Sequence, residues 1–343
     1  MATSLAPPVG HAAPRRHNVP VPLTPLIGRA RELDSVAETL NRTRLVTLIG
    51  PGGVGKTRLA IELARRQIGR RADGVWLVDL TAGPADPDPA AEVARTLEVG
   101  GASARAPTES LRRYLAERDV LVVIDNCEHV IGACAELAST LLRSRGRLRI
   151  LATSRESLGV SGETVRRLES LTPEDAQRLF VERARQRDAR FIPDADAAIA
   201  ALCDRLDRLP LAIELAAARI GAMSPAEILS DLEVRLGSLG GGPRNAPARH
   251  RTVRAMVEWS YDLLDPAEQR AFRSLAVFVG GFDADAALAV APGMTVDAFA
   301  RLVDKSVVVA RETPRGRSRS AARARERRRS RCGATSQSAT CCW

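Results

Sequence analysis

Residues 45–57 read LVTLI followed by GPGGVGKT, a short apolar run that leads into a glycine-rich loop. The apolar run is typical of a buried strand, and residues 56–68 repeat apolar side chains at helical spacing. A glycine, four residues, and then glycine, lysine and a hydroxyl residue form the spacing of a phosphate-binding loop, provided that a strand precedes it and a helix follows. Both conditions are met, so this segment predicts a site for phosphate groups at a helix N-terminus.

Each position of the loop has a physical reason in this interpretation. Glycines let backbone N–H groups turn toward phosphate oxygens, and the helix N-terminus adds a favourable dipole. We expect Lys56 to reach the β- and γ-phosphates and the Thr57 hydroxyl to ligate Mg²⁺. The nucleotide contacts predicted from this segment are Gly50, Gly52, Gly53, Val54, Gly55, Lys56, Thr57 and Arg58.

Strand and helix signals alternate after the loop. Further strands are predicted at 75–80, 120–124 and 148–153, separated by helices at 90–97, 108–117 and 130–142. Such alternation is typical of a parallel sheet covered by helices on both faces, with ligands at the carboxyl ends of the strands. The predicted fold class is therefore α/β, with a P-loop parallel sheet flanked by helices.

Three charged residues follow predicted strands and complete the candidates for catalysis, which are Lys56, Asp125, Glu128 and Arg155. We expect adjacent strands to bring the Asp125 carboxylate beside Thr57 as a second Mg²⁺ ligand, with capping of the next helix as the alternative. Glu128 either polarises a water molecule or is a solvated residue at a helix start. Arg155 follows the next strand, from which a guanidinium can sense a γ-phosphate, although arginine is common throughout this chain.

The second half of the chain changes character, because strand signals fade near residue 170. Thr172 followed by proline and two acids predicts a helix start, and a glycine-rich stretch at 237–242 marks a boundary. Helices at 252–263, 266–277 and 296–303 and a strand at 306–309 predict a partial winged-helix subdomain. The expected organisation is a disordered leader (1–23), a P-loop nucleotide-binding domain (24–170), a helical subdomain (171–240), a winged-helix-like subdomain (241–310) and a disordered Arg/Ser-rich tail (311–343).

Composition argues against several classes of protein. The net charge is +10, but residues 311–331 hold ten arginines and two glutamates, so the remainder lacks the basic footprint of a nucleic-acid surface. The six cysteines show no metal-ligand spacing, which favours free thiols in a reducing compartment. We find no signal peptide and no apolar run of about 18 residues. We therefore expect a cytoplasmic protein that neither enters a membrane nor carries a DNA-binding domain within this chain.

Five segments together resemble one family. They are IGR at 27–29, LVVIDNCEH at 121–129, TSR at 153–155, LPLAIELA at 209–216 and LVDKS at 302–306. Residues 26–309 with these segments resemble the nucleotide-binding and winged-helix core of the STAND ATPases. They are similar to NB-ARC domains, particularly those of bacterial LuxR-type and SARP-like regulators. The resemblance implies that Ile27, Gly28 and Arg29 border an adenine, that Pro210 packs on it, and that Arg155 is a sensor.

The resemblance also implies a function. ADP would hold a closed form, and exchange for ATP would open it for signalling or assembly, through a protein partner or further copies of the chain. The implied cofactors are ATP or ADP with Mg²⁺, and slow hydrolysis would reset this switch within a bacterial transcriptional regulator. Two alternatives stay open from the residues alone: a small-molecule kinase or other metabolic NTPase, and an inactive truncated fragment.

The tail departs from the family pattern immediately after Val309. An Arg/Ser run without apolar periodicity begins there, and it cannot bury enough surface to fold. We interpret it as out-of-frame translation after a coding frameshift, with a natural basic arm for nucleic acid as the alternative. In the frameshift interpretation, a C-terminal contact to the nucleotide phosphate is lost.

Overall fold

A five-stranded parallel sheet carries the glycine-rich loop. Its strands are β1 (Leu45–Ile49), β2 (Gly74–Asp79), β3 (Val120–Asp125), β4 (Arg149–Ser154) and β5 (Glu163–Arg167), in the spatial order β2-β3-β4-β1-β5. The computed structural model describes residues 16–81, 87–99, 106–143, 146–193, 196–234, 252–278, 281–312 and 337–341. The α/β fold class predicted from the sequence is confirmed.

Helices cover both faces of the sheet. One face packs against α1 (Ala30–Arg42), α2 (Lys56–Gln67), α6 (Pro173–Arg187), α7 (Asp196–Arg205), α8 (Pro210–Ala217) and α9 (Pro225–Val234), and the other against α3 (Pro89–Thr96), α4 (Pro107–Leu115) and α5 (Ile131–Leu142). Successive side chains of a strand point to opposite faces. We call the core on the side of α1 and α2 the first core, and the core on the side of α3 to α5 the second core. In β3, Leu121 and Val123 therefore enter the first core, while Val122 and Ile124 enter the second core. Burial on both sides explains the unbroken apolar run.

Two elements of this domain were not predicted. β5 is an edge strand with charged and exposed side chains, so it lacks the apolar run by which the other four strands were predicted. α1 buries Leu33, Val36 and Leu40 against the first core. The predicted helix start at Thr172 is confirmed, because its side chain accepts a hydrogen bond from the backbone N–H of Asp175.

The prediction of a disordered leader is wrong for its last residues. The Asn18 side chain accepts a hydrogen bond from the backbone N–H of Leu77 and donates one to its carbonyl, at 2.7 and 2.8 Å. Val19 is buried in the first core. Residues 16–19 thus lie along β2, whose outer edge would otherwise present unpaired backbone groups.

The C-terminal unit joins helices to a small antiparallel sheet. It contains α10 (Val253–Asp262), α11 (Pro266–Leu275), β6 (Gly281–Asp283), α12 (Ala284–Val290), α13 (Val296–Asp304), β7 (Val308–Glu312) and β8 (Gln337–Cys341), with sheet order β6-β8-β7. The prediction of an unstructured tail is therefore wrong at β8, because backbone pairing with β6 and β7 needs no apolar periodicity. The expected strand at 306–309 starts later, at Val308, because Ser306 has a φ of 55°.

The predicted boundary at 237–242 and most of the predicted tail, residues 313–336, lie outside the described residues. The subdomain limits stay predictions. Within the described part of the chain, the helices are all too short or too polar to cross a bilayer.

Candidate functional site

The glycine-rich loop joins β1 to α2 in the conformation that its glycines allow. Gly50, Gly53 and Gly55 have φ values of 151°, 73° and 99°, a region that L side chains rarely adopt. A Cβ at Gly50 would also lie 2.6 Å from the Leu168 carbonyl oxygen. The Lys56 ammonium donates hydrogen bonds to the carbonyls of Gly50 and Pro51, at 2.7 and 3.0 Å. The loop therefore closes around its own lysine.

Thr57 and Asp125 meet at the carboxyl edge of the sheet. The Thr57 hydroxyl lies 2.8 and 3.0 Å from the two carboxylate oxygens of Asp125 and donates to them. The expectation that adjacent strands bring these residues together is wrong, since β4 lies between β1 and β3. Thr57 instead stands in the first turn of α2, which packs across β3 and β4.

The Asp125 carboxylate is buried in a polar network. Asp125 is 2% exposed, and it also accepts hydrogen bonds from the Thr153 hydroxyl at 2.5 Å and the Asn126 amide at 2.8 Å. Burial raises the pKa of Asp125 to about 6, although the hydrogen bonds from Thr153 and Thr57 oppose that rise. A cation beside this carboxylate would favour its ionised form.

These groups fit a magnesium ion bound together with phosphates. Hydroxyl and carboxylate oxygens are ligands that Mg²⁺ prefers, and it is usually held by one or two carboxylates plus phosphate oxygens and water. Among the described residues, no group of three or more His, Cys, Asp or Glu side chains is arranged to hold a metal. Thr57 and Asp125 are therefore the residues that would hold Mg²⁺ at this edge, with a bound phosphate supplying further oxygens.

A cavity of about 290 Å³ extends from the loop between α2, α6 and α8. Among the predicted site residues, those lining it are Ile27, Arg29, Gly52, Gly53, Val54, Gly55, Lys56, Thr57, Arg58, Glu128 and Pro210. Pro210 is the first residue of α8, and the next backbone N–H, that of Leu211, donates to the Gly53 carbonyl at 3.2 Å. This bond fixes the proline beside the loop, on a wall that Leu171 and Leu179 make apolar.

The chain is similar to known proteins over most of its length. The NB-ARC domain matches residues 29–190. Rv0894, an uncharacterized protein of Mycobacterium tuberculosis, is 40% identical over 314 residues, which are 89% of this chain and 78% of that protein. The chain belongs to the NB-ARC family.

Two longer relatives share this NB-ARC region. Rv0890c of Mycobacterium tuberculosis, whose name assigns it provisionally to the HTH-type transcriptional regulators, is 45% identical over 289 residues. The regulatory protein AfsR of Streptomyces coelicolor is 30% identical over 322 residues. The matches cover 82% and 86% of this chain but only 32% and 31% of those proteins, so the chain spans about a third of their length.

The segment at 27–29 has a structural role in this NB-ARC domain. Arg29 is 6% exposed, and its guanidinium donates to the Val54 and Glu169 carbonyls at 3.2 and 2.6 Å and pairs with Glu32 at 2.7 Å. It therefore clamps the phosphate loop. Gly28, which was expected to border the adenine, instead faces a neighbouring groove against Asp175.

Arg155 is not among the residues that line the cavity beside the loop. It is 3% exposed, its Nε lies 3.7 Å from the Glu128 carboxylate, and it faces a small cavity formed with the C-terminal unit. Its carbonyl accepts a hydrogen bond from the Ser306 hydroxyl at 2.7 Å. Arg155 therefore leaves the sheet at the expected edge, but its side chain turns toward the Glu128 carboxylate.

Glu128 connects the two cavities. Its side chain is 5% exposed and lines both the cavity beside the loop and the small cavity at Arg155. Burial rules out a solvated residue at a helix start, one of the two interpretations left open above. Its Oε2 is buried with no hydrogen-bond partner in the described part of the chain, so this oxygen can accept a hydrogen bond from a water molecule.

The sequence did not predict a charged corner of the cavity. Arg183 on α6 and Glu214 on α8 line it beside Arg58, and Arg183 donates to the Glu214 carboxylate at 3.0 Å. Burial lowers the pKa of Arg58, and the charge of Glu214 opposes that shift. Glu214 follows Pro210 by four residues, a spacing that places both on one helix face and is visible in the sequence. Arg183 has no local signal of this kind.

Proposed function

We propose that this chain is a nucleotide-dependent switch that binds ATP and ADP with Mg²⁺ and hydrolyses ATP slowly. The observation that carries the proposal is the contact of the Thr57 hydroxyl with the buried Asp125 carboxylate, next to a loop closed around Lys56. In this proposal the Lys56 ammonium exchanges its carbonyl partners for phosphate oxygens. Thr57 and Asp125 would hold a Mg²⁺ ion, whose charge would offset that of the phosphates.

Glu128 and Arg155 give the switch a route from the nucleotide to the C-terminal unit. Glu128 lines the cavity, its carboxylate faces Arg155, and the Arg155 carbonyl accepts a hydrogen bond from Ser306, which follows α13. A nucleotide shifts an equilibrium only if it binds the two forms with different affinity. A γ-phosphate that displaces Glu128 or draws Arg155 toward itself would supply that difference, because either movement disturbs the contact with Ser306.

Hydrolysis needs a group that orients and polarises the attacking water. Glu128 is the candidate, because its buried Oε2 can accept a hydrogen bond from such a water beside the loop. We expect slow turnover, since the same carboxylate also pairs with Arg155. Hydrolysis would return the switch to its ADP-bound form.

The relatives suggest the setting of this switch. One is named among HTH-type transcriptional regulators and another is named a regulatory protein, and this chain spans about a third of each. We propose that the domain serves a bacterial transcriptional regulator, where its nucleotide state controls contact with a protein partner or with further copies.

Hydrogen exchange in the presence of Mg-ADP and of a non-hydrolysable Mg-ATP analogue tests the switch. Either nucleotide should protect residues 50–58, and only the ATP analogue should lower protection at 302–308. Lys56→Ala should abolish both effects, whereas Arg65→Ala, a charge removed from the same helix away from the loop, should keep them.

Identical protection at 302–308 with both nucleotides would contradict a switch at this contact. Absence of any nucleotide effect would favour an inactive fragment. Rapid ATP turnover only when a small acceptor is supplied would favour a kinase.

A further inference from the structure

One charged corner of the cavity is formed by side chains other than the candidate Mg²⁺ ligands Thr57 and Asp125. Arg58 on α2, Arg183 on α6 and Glu214 on α8 meet there, while Ile27, Leu171 and Pro210 form an apolar wall. An apolar wall suits a nucleotide base, and a few placed polar groups give a pocket its specificity. With a base on that wall, the sugar or the edge of the base would face the charged corner.

Protein acceptors already hold the two arginines of this corner. Arg183 donates to Glu214 through Nε at 3.0 Å and to the Thr24 hydroxyl and the Pro25 carbonyl through Nη2, at 3.3 and 3.4 Å. Arg58 donates to the carbonyl and the hydroxyl of Thr24. Both arginines thus tie α2 and α6 to the segment at Thr24, and Arg183 also orients the carboxylate on α8.

Glu214 is the acceptor that this corner offers to a ligand. Its side chain is 41% exposed although it lines the cavity, whereas the Arg183 side chain is 13% exposed. A carboxylate can accept about four hydrogen bonds, and the Arg183 Nε–H occupies one of those positions. The carboxylate keeps room for two donors from the cavity side.

We propose that Glu214 reads the sugar of the nucleotide by accepting hydrogen bonds from the 2′- and 3′-hydroxyls of ribose, an inference that rests on the proposed function. Glu214 lies one helical turn beyond Pro210, about 5–6 Å between Cβ atoms on the same face. That is the separation of a sugar from the base to which it is attached. Two neighbouring hydroxyls match the two oxygens of one carboxylate, and in dinucleotide-binding folds an acidic residue hydrogen-bonds the ribose 2′-hydroxyl.

Calorimetric titration of the whole chain with ADP and 2′-deoxy-ADP, both with Mg²⁺, tests this assignment. The parent should bind 2′-deoxy-ADP about tenfold or more weakly, because a hydrogen bond to a charged group is lost. Glu214→Gln should weaken ADP about tenfold and bring the two affinities within about threefold of each other. Glu182→Gln is the matched control, since Glu182 also pairs with Arg183, at 3.4 Å, and is not among the residues lining this cavity. It should keep the parent's discrimination.

Three results overturn the assignment. Equal affinity of the parent for ADP and 2′-deoxy-ADP would show that no group reads the 2′-hydroxyl. Retained discrimination in Glu214→Gln would move the reading to another residue. If the parent binds inosine diphosphate, which lacks the adenine amine, more weakly than ADP but binds 2′-deoxy-ADP as tightly as ADP, and if Glu214→Gln loses this preference, Glu214 would lie at the base edge. A parent that binds no ADP at all would instead refute the proposed function.

Discussion

Replacing Asp125 with asparagine separates the charge of this side chain from its shape. The asparagine oxygen can still accept hydrogen bonds from the hydroxyls of Thr57 and Thr153, which contact the carboxylate at 2.8 and 2.5 Å in the parent. The replaced carboxylate is 2% exposed, and a buried charge costs stability. Without nucleotide, we therefore expect the free energy of unfolding to stay within about 1 kcal/mol of the parent or to rise.

The same change should remove most of the stabilisation by Mg-ADP. A ligand at about 100 times its dissociation constant adds about 2.7 kcal/mol to the free energy of unfolding. If loss of the carboxylate ligand weakens ADP ten- to a hundredfold, the gain at the same concentration falls to between about 1.4 and 0.4 kcal/mol. Urea unfolding of parent and variant, with and without Mg-ADP, measures both quantities.

Asp79→Asn is the matched control for this experiment. Asp79 ends the neighbouring strand β2, and its carboxylate accepts hydrogen bonds from Asn126 and Thr81 rather than from Thr57. This variant should keep the full stabilisation by Mg-ADP. If Asp125→Asn kept it too, or if Asp79→Asn lost as much, the assignment of Asp125 to the metal would be refuted.

Two further predictions concern the contacts around the site. Ser306→Ala removes the hydroxyl that donates to the Arg155 carbonyl at 2.7 Å. Hydrogen exchange at 302–308 should become faster by a factor that corresponds to about 1–2 kcal/mol. Unchanged exchange would contradict the role of this hydrogen bond in holding residues 302–308 against Arg155. Gly28→Ala should lower the free energy of unfolding by about 1–3 kcal/mol more than Gly159→Ala, measured by urea unfolding. Both glycines have positive φ, 66° and 71°, but only at Gly28 would a Cβ lie 2.7 Å from the Asp175 carboxylate, so equal losses would exclude that contact as the cause.

Much of the fold could be predicted because the sequence patterns that indicate it are local. Four strands contain an apolar run and the loop has a fixed spacing, so β1 to β4 and the start of α2 followed from pattern alone. α1 was missed although its sequence contains a helical pattern, because Leu33, Val36 and Leu40 recur at helical spacing. β5 contains no apolar pattern, because an edge strand needs backbone partners more than apolar side chains. The same holds for β8, whose pairing with β6 and β7 joins distant parts of the chain.

The residues of the candidate site likewise differ in whether local sequence predicts their contacts. Thr57 and Asp125 could be paired from sequence because each occupies a fixed position relative to a strand or a helix, although the sequence did not indicate that β4 lies between β1 and β3. The Arg155 side chain points toward Glu128, which follows a different strand, β3. The Arg155 carbonyl contacts Ser306, which is 151 residues further along the chain. Neither contact could be predicted from local sequence. The contact of Arg183 with Glu214 likewise depends on how α6 packs against α8.

Calorimetric titration of the parent chain with Mg-ADP, with Lys56→Ala as its partner experiment, tests the central claim most directly. One nucleotide should bind per chain, and Lys56→Ala should lose most of the affinity because it removes the ammonium that lies against the loop at the Gly50 carbonyl. Omitting Mg²⁺ should weaken binding in the parent. Failure of the parent to bind Mg-ADP, or equally tight binding by Lys56→Ala, would contradict a nucleotide site at this loop.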